Sequence, residues 1–285
     1  MITLKNWRER MSEDLRLRDF RPRTQEGYLL ATRLFMDRVG KEPDALSDDD
    51  IRRYFLYLRD ERKLSPSSIT IAVCALRFFF LHTLGRDSAV LALLRVKKPR
   101  TLPLVLSRAE VRAILGTVEH PVRRMALSAI YALGLRLGEG LALETQHIDA
   151  ARLVVSVRDG KGGRDRTVPL PRPLLARLRS YWKNDRPSSS TSYLFVGKGG
   201  TPLHETTLQK TFTAARDEAA IEKHATIHTL RHSYATHLLE SGVSLRTIQQ
   251  ILGHGSLQTT EVYLHVTQPG VENVQRAIDR LMADL

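Results

Sequence analysis

The chain of 285 residues contains a single cysteine, Cys74. An internal disulfide framework and a cysteine-built zinc site are therefore excluded, and the composition fits a reducing cytoplasm. Long apolar runs are also missing. The densest one, Ile69 to Leu84, is interrupted by Arg77 and His82 and falls short of the roughly 18 apolar residues of a membrane span. Met1 to Arg10 carries charges and has no apolar h-region, so no secretory signal is expected. There is no internal repeat, and only Ser188–Ser190 is low in complexity, which reads as a flexible loop. Acidic residues are in deficit: 31 Asp and Glu face 44 Lys and Arg, a net charge of +13. What is present is enough apolar sequence, 42%, to bury one or two ordinary cores, which excludes a disordered chain. The charge calls for a polyanionic partner, nucleic acid or an anionic membrane surface. The hydropathy pattern favours a soluble protein with no membrane partner.

The charge is spread along the chain. Residues 1–100 hold 21 basic and 14 acidic side chains and the remainder 23 and 17, so both parts are basic, as for two faces gripping one polyanion. The first part reads as helical. Trp7, Met11 and Leu15 share one helical face, and Tyr28, Ala31, Phe35 and Val39 share another. Ser47 with Asp50, flanked by Leu46 and Ile51, reads as a capping box and hydrophobic staple opening a third helix. A fourth is expected over about 67–84, ended by Gly85. Residues 95–105, with two prolines and a cluster of basic side chains, read as an extended linker. The expected organisation is a helical domain over 1–94, the linker over 95–105 and a second domain over 106–285. Ser107 and Glu110 repeat the capping box at the start of that second domain. Helices are expected there at about 107–117, 121–133, 171–184, 204–218, 228–241, 244–252 and 270–283. Residues 153–157, 166–170 and 193–196 read as strands, with a glycine-rich hairpin turn at 159–163. The expected fold class is thus mainly α with a small antiparallel β-sheet: a four-helix domain followed by an α+β domain.

Six of the ten histidines fall between His224 and His265. His228, Arg231 and His232 lie at i, i+3 and i+4, hence on one helix face, and an arginine between two imidazoles is poor core material. They suit a charged ligand. Two histidines at this spacing also suit zinc, but Thr229 stands where the metalloprotease motif needs Glu, no third ligand is evident and Arg231 would repel the cation. No metal is expected. Arg136 sits in apolar sequence, where a guanidinium needs a partner; Glu139 can form a plain ion pair with it. Alternatively Arg136 and Arg231 together clamp the two non-bridging oxygens of a phosphodiester. Lys161, at the tip of Gly160–Gly163, reads alone as a surface turn, yet a flexible tip can carry an ammonium to a leaving oxygen. Tyr28, Tyr54, Tyr131 and Tyr234 lie on helical apolar stripes, whereas Tyr263 follows a glycine-rich turn and precedes a terminal helix, a mobile place for a reactive group.

Arg136, Lys161, His228-Thr229-Leu230-Arg231, Leu252-Gly253-His254 and Tyr263-Leu264-His265-Val266, in this order and with these gaps, resemble the tyrosine recombinase (integrase) family, in particular its compact Xer-type members. The resemblance extends over nearly the whole chain, since the helical first part is similar to the core DNA-binding domain of that family. It implies that Tyr263 is the nucleophile, forming a 3′-phosphotyrosyl link, with Arg136 and Arg231 as phosphate clamp and Lys161 as general acid toward the 5′-oxygen. It further implies His228 as acid/base near Tyr263, His254 as a hydrogen-bond donor to the phosphate, and Glu139 and His232 as supporting residues. A phenol of pKa about 10 needs a base or a cationic field to act at neutral pH. Neither cofactor nor ATP is implied. Double-stranded DNA carrying recombination sites is the implied partner, bound by a homotetramer or by a heterotetramer with a homologue. Thr70, Arg77, Arg33, Lys97, Lys98 and the region near Lys210 are the candidate DNA contacts. The apolar stripe Val271, Val274, Ile278, Leu281 and Leu285 suits either the chain's own core or a neighbouring protomer.

Gly138 stands where many relatives have Ser. The stretch between Gly200 and His228 is too short for the extra helix of an integron integrase, and an arm-binding domain of the lambda type is not expected ahead of residue 1. The implied activity is site-specific strand exchange between two DNA sites through a four-way junction. The alternatives are a type IB topoisomerase-like nicking and rejoining enzyme, or a non-catalytic DNA-binding accessory.

Overall fold

The computed structural model describes residues 6–97, 102–158, 165–253, 258–261 and 263. They fall into two compact units, Met1–Arg100 and Thr101–Leu285.

The first unit is built from α1 (Trp7–Leu17), α2 (Pro22–Val39), α3 (Asp48–Leu56), α4 (Pro66–Phe78) and a short α5 (Ala89–Leu93). Its four principal helices are those expected. The capping box that opens α3 is complete: Ser47 Oγ accepts from the Asp50 amide at 3.2 Å, and Asp50 Oδ2 accepts from the Ser47 amide at 2.9 Å. Leu46 and Ile51 are both buried behind it. The aromatic core packs edge to face, with Trp7 against Phe79 at 5.6 Å and Phe35 against Tyr54 at 5.0 Å between ring centroids.

Two features differ from expectation. The fourth helix passes into a π-helical turn over Phe79–Thr83, where the Leu84 amide reaches back to the Phe79 carbonyl, before Gly85 ends it at φ +68°. Within it, Pro66–Thr83 is long and apolar enough by length and composition to cross a membrane; half of that stretch is buried in the unit's own core. Helix α5 follows, and Arg77 donates from Nε and Nη2 to the Leu91 carbonyl at 2.9 and 2.6 Å, and from Nη2 to that of Leu94 at 3.0 Å. Arg77 therefore caps the end of α5, a use that its sequence context does not reveal.

The second unit begins with α6 (Arg108–Thr117), opened by the expected Ser107–Glu110 box, followed by α7 (Pro121–Ala132) and α8 (Leu137–Leu141). A three-stranded antiparallel sheet comes next, in the order β1 (Ile148–Asp149), β2 (Val154–Val157), β3 (Arg166–Pro169), with Val155 opposite Val168. Helices α9 (Arg172–Asn184), α10 (Glu205–Glu218), α11 (Ile227–Glu240), α12 (Leu245–Leu252) and α13 (Gln258–Glu261) complete the described chain. The core joins α6, α7, α9, α10 and the start of α11 to the inner face of the sheet through residues such as Ile114, Ala126, Ile130, Val155, Val168 and Leu230.

The strand expected at 193–196 is not formed. Leu194, Phe195 and Val196 are buried, but the Leu194 amide bonds to the Leu143 carbonyl while the Phe195 carbonyl accepts from Leu203, so the segment touches two partners and makes no ladder. Its apolar run signals burial alone. Helix α8 and β1, neither expected, are too short to display a period. The turn at 159–163 and the helix expected at 270–283 lie outside the described residues.

Candidate active site

The site gathers where four segment ends of the second unit meet. Gly134, at φ +61° after α7, turns the chain toward Arg136; a Cβ there would lie 2.4 Å from Tyr234 Cδ1. Arg136 occupies the N-cap of α8 in extended conformation. Glu139, three residues on, takes the Arg136 amide at 2.8 Å on Oε2 and the Arg136 Nη1 at 2.6 Å on Oε1. Both the ion pair and a wider cluster are therefore present. Arg166 Nη1 and Nη2 donate to the same carboxylate at 2.9 and 2.7 Å, and Arg231 Nη1 stands 3.7 Å from it.

Arg231 is 1% exposed. Its Nη1 donates to the Gly134 carbonyl and its Nη2 to the Leu252 carbonyl, both at 2.6 Å, so one guanidinium joins the ends of α7 and α12. These carbonyls terminate helices and carry partial negative charge, which suits a buried cation.

Next to Arg231 on α11, His232 Nδ1 lies 2.9 Å from Tyr263 Oη, and the ring of His228, one helical turn before His232, stands edge-on to it at 4.6 Å. Tyr263 is 1% exposed. His232 is thus a direct hydrogen-bonding partner of the phenol, and His228 packs against His232.

Electrostatics follow from burial and from the crowd of cations. Burial, reinforced by His228 and Arg231, pushes His232 down to about 4. Burial, Arg231 and Arg136 lower His228 as well, so both imidazoles are neutral at neutral pH. Burial raises the Tyr263 phenol although Arg231 and Arg136 pull it the other way. Arg231 falls to about 10 through burial and the neighbouring Arg136. Burial works to raise Glu139, but hydrogen bonds from Arg166 and Arg136 outweigh it and hold the carboxylate at about 2. Three guanidiniums around one carboxylate leave a buried excess of positive charge.

Arg136, Glu139, His228, Arg231, His232 and Tyr263 are therefore brought together, while Lys161 and His254 lie outside the described residues. Sequence reasoning missed Arg166. The signal was available, since Arg166, Val168 and Leu170 alternate toward the interior and a charge on the inward face of a strand needs a reason. Of the candidate DNA contacts, Arg33 is exposed and stands 4.0 Å from Asp37, Thr70 donates to the Pro66 carbonyl, and Lys97 and Lys210 are exposed. Arg77 is engaged with α5 and Lys98 lies outside the described residues. Among the described residues no three of His, Cys, Asp or Glu group as metal ligands.

Residues 105–269 match the phage integrase family, and residues 7–89 match the phage integrase N-terminal SAM-like domain. The chain belongs to the phage integrase family. Its relatives include the integrase/recombinase y4qK of Sinorhizobium fredii, whose own assignment is provisional, at 45% identity over 91% of this chain and 84% of that protein. Tyrosine recombinase XerA of Pyrococcus furiosus is 34% identical over 86% of this chain and 85% of its own. Among solved structures, XerA recombinase covers 96% of this chain and 98% of its own at 28% identity and a TM-score of 0.55. A lambda integrase dimer bound to a COC′ core site shares the fold at 19% identity and a TM-score of 0.75, over 95% of this chain and 97% of that one. As a tyrosine recombinase the chain is a DNA strand transferase, and the expected fold class, a helical N-terminal domain followed by a mainly helical domain with a small sheet, is the family's.

Proposed function

We propose that this integrase-family protein is a site-specific DNA recombinase that cleaves and rejoins strands through a 3′-phosphotyrosyl link at Tyr263. The observation that carries this reading is Tyr263 Oη held 2.9 Å from His232 Nδ1, on the helix that also carries the buried cation Arg231. With phenol and imidazole both neutral, the hydroxyl donates to Nδ1 when the imidazole proton sits on Nε2, and the phenol proton has an acceptor already in place.

In the proposed reaction Tyr263 Oη attacks the phosphorus, the Oη–P bond forms and the P–O5′ bond breaks. The phenol proton passes to His232, with His228 behind it, and Lys161 supplies a proton to the departing 5′-oxygen. Arg136, oriented by Glu139, and Arg231 offset the charge that grows on the non-bridging oxygens, with His254 as a further donor. Attack of a 5′-hydroxyl from a second duplex reverses each step, so the bond energy is conserved and no ATP is consumed. Tyr263 and Arg231 are both buried, so binding of a phosphodiester against them requires the Tyr263 side chain to move.

Two rounds of such exchange between two duplexes pass through a four-way junction and need four active sites. A lambda integrase tetramer bound to a Holliday junction, one of the fold neighbours, is consistent with that assembly. The test is strand transfer between two differently labelled duplexes cut from DNA flanking the gene. Hybrid products support a recombinase. Nicking and rejoining confined to one duplex supports a topoisomerase-like enzyme, and binding without cleavage supports an accessory factor.

A further inference from the structure

Arg166 takes no part in the proposed reaction steps. It is the first residue of β3, five positions after Lys161 in sequence, and its side chain is 8% exposed, against 25% for Arg136. Arg136 is therefore the more open of the two and Arg166 the more deeply buried.

Glu139 sits between them with its side chain 6% exposed. Oε1 accepts from Arg136 Nη1 and Arg166 Nη1, and Oε2 from the Arg136 amide and Arg166 Nη2. These four bonds match the acceptor capacity of a carboxylate. Half of them come from Arg166. Its remaining nitrogen, Nε, donates to the Ile251 carbonyl in the last turn of α12 at 2.8 Å. Gly253, left-handed at φ +64°, makes room for this arm: a Cβ there would stand 2.8 Å from Arg166 Cδ.

We propose that Arg166 is a positioning residue for strand cleavage, holding Glu139 so that Glu139 can hold Arg136, and fastening the start of β3 to the end of α12. Without Arg166, two acceptor sites of a buried carboxylate fall vacant, which costs more than the bonds contributed. The carboxylate then turns toward its next cation, Arg231 at 3.7 Å, and releases Arg136 from the conformation set by the α8 cap. Lysine cannot replace Arg166, because one ammonium cannot fork onto both oxygens and also reach Ile251.

This inference rests on the cleavage reading above, and the experiment separates the two. The full chain, wild type and with Arg166→Gln or Arg166→Lys, is mixed with nicked duplexes from DNA flanking the gene. DNA affinity and the single-turnover rate of covalent adduct formation at saturating protein are measured separately, alone and in an Arg136→Ala background. The expected result is unchanged affinity with adduct formation slowed by about 10- to 100-fold, by analogy with the loss of a residue that orients a metal ligand from behind. Arg166→Lys fails to restore the rate, and neither variant adds a further loss to Arg136→Ala, because residues acting through one another are not additive. Where Arg166→Gln does not fold, Arg166→Lys carries the comparison. An undiminished rate overturns the inference, as does an independent, multiplying loss in the Arg136→Ala background. Weakened affinity with an unchanged saturated rate also overturns it, by making Arg166 a DNA ligand. A wild-type protein that forms no adduct removes the cleavage reading and this inference together, whereas a wild-type adduct with undiminished Arg166 variants removes this inference alone.

Discussion

His232 Nδ1 lies 2.9 Å from the Tyr263 hydroxyl, and the His228 ring stands edge-on to the His232 ring at 4.6 Å. The family resemblance puts His228 forward as the acid/base. The geometry gives the first proton acceptor to the residue four positions on, and burial makes it a neutral acceptor at neutral pH. His232→Ala should therefore slow adduct formation more than His228→Ala under single-turnover conditions. Equal losses, or a larger one at His228, contradict the proton route.

The depressed pKa of His232 also sets a pH dependence of stability. The folded group titrates near 4 and the unfolded one near 6.5, so the unfolded chain binds the proton first and stability falls as pH drops from about 6.5 to about 4. Glu139 adds a second loss from about 4.5 to about 2, since its folded pKa lies below its unfolded value. Urea unfolding of wild type and His232→Gln at pH 7 and pH 5 checks the first window. The wild type should lose more stability between those values than the variant, by up to about 2 kcal/mol from the shift of a single group.

Glu139→Ala leaves Arg136, Arg166 and Arg231 facing one another without their counter-ion. Removing one partner from a buried ionic cluster costs about 3–5 kcal/mol, so a clear drop in thermal stability is expected along with loss of cleavage. Glu139→Gln, which keeps shape and some acceptor capacity, should be milder in calorimetry.

Gly134→Ala places a Cβ 2.4 Å from Tyr234 Cδ1 on a left-handed backbone. The backbone term alone is about 1–2 kcal/mol, and the ring must also shift. Since the Gly134 carbonyl anchors Arg231, the variant should lose cleavage as well as melting temperature. Gly27→Ala, in the helical first unit with open space around its Cβ, is the control and should leave the melting temperature unchanged or slightly raised.

Much of this was legible in the residues. Capping boxes at Ser47 and Ser107 fix helix starts because a hydroxyl and a carboxylate three positions apart satisfy amides that nothing else reaches. The grouping of Arg136, Glu139, His228, Arg231 and Tyr263 was expected from their order. Long helices with a full apolar stripe fall within a residue or two of the ranges read from the sequence. What escaped depends on contacts made across the fold. Residues 193–196 carry a strand's composition, yet their backbone is satisfied by two separate segments. Helix α5 has five residues and is held in place by Arg77 from fourteen positions away. The Tyr263 to His232 bond spans 31 residues, and nothing local distinguishes His232 from His228 as its partner.

The most direct test of Tyr263 as the nucleophile is to trap the covalent complex on a nicked duplex, digest the protein and identify by mass spectrometry which peptide carries the nucleotide remnant, with Tyr263→Phe alongside. The remnant is expected on the peptide containing Tyr263, attached through a 3′-phosphate, with no adduct from Tyr263→Phe despite retained DNA binding. A remnant on any other residue, or an adduct that persists in Tyr263→Phe, contradicts that role.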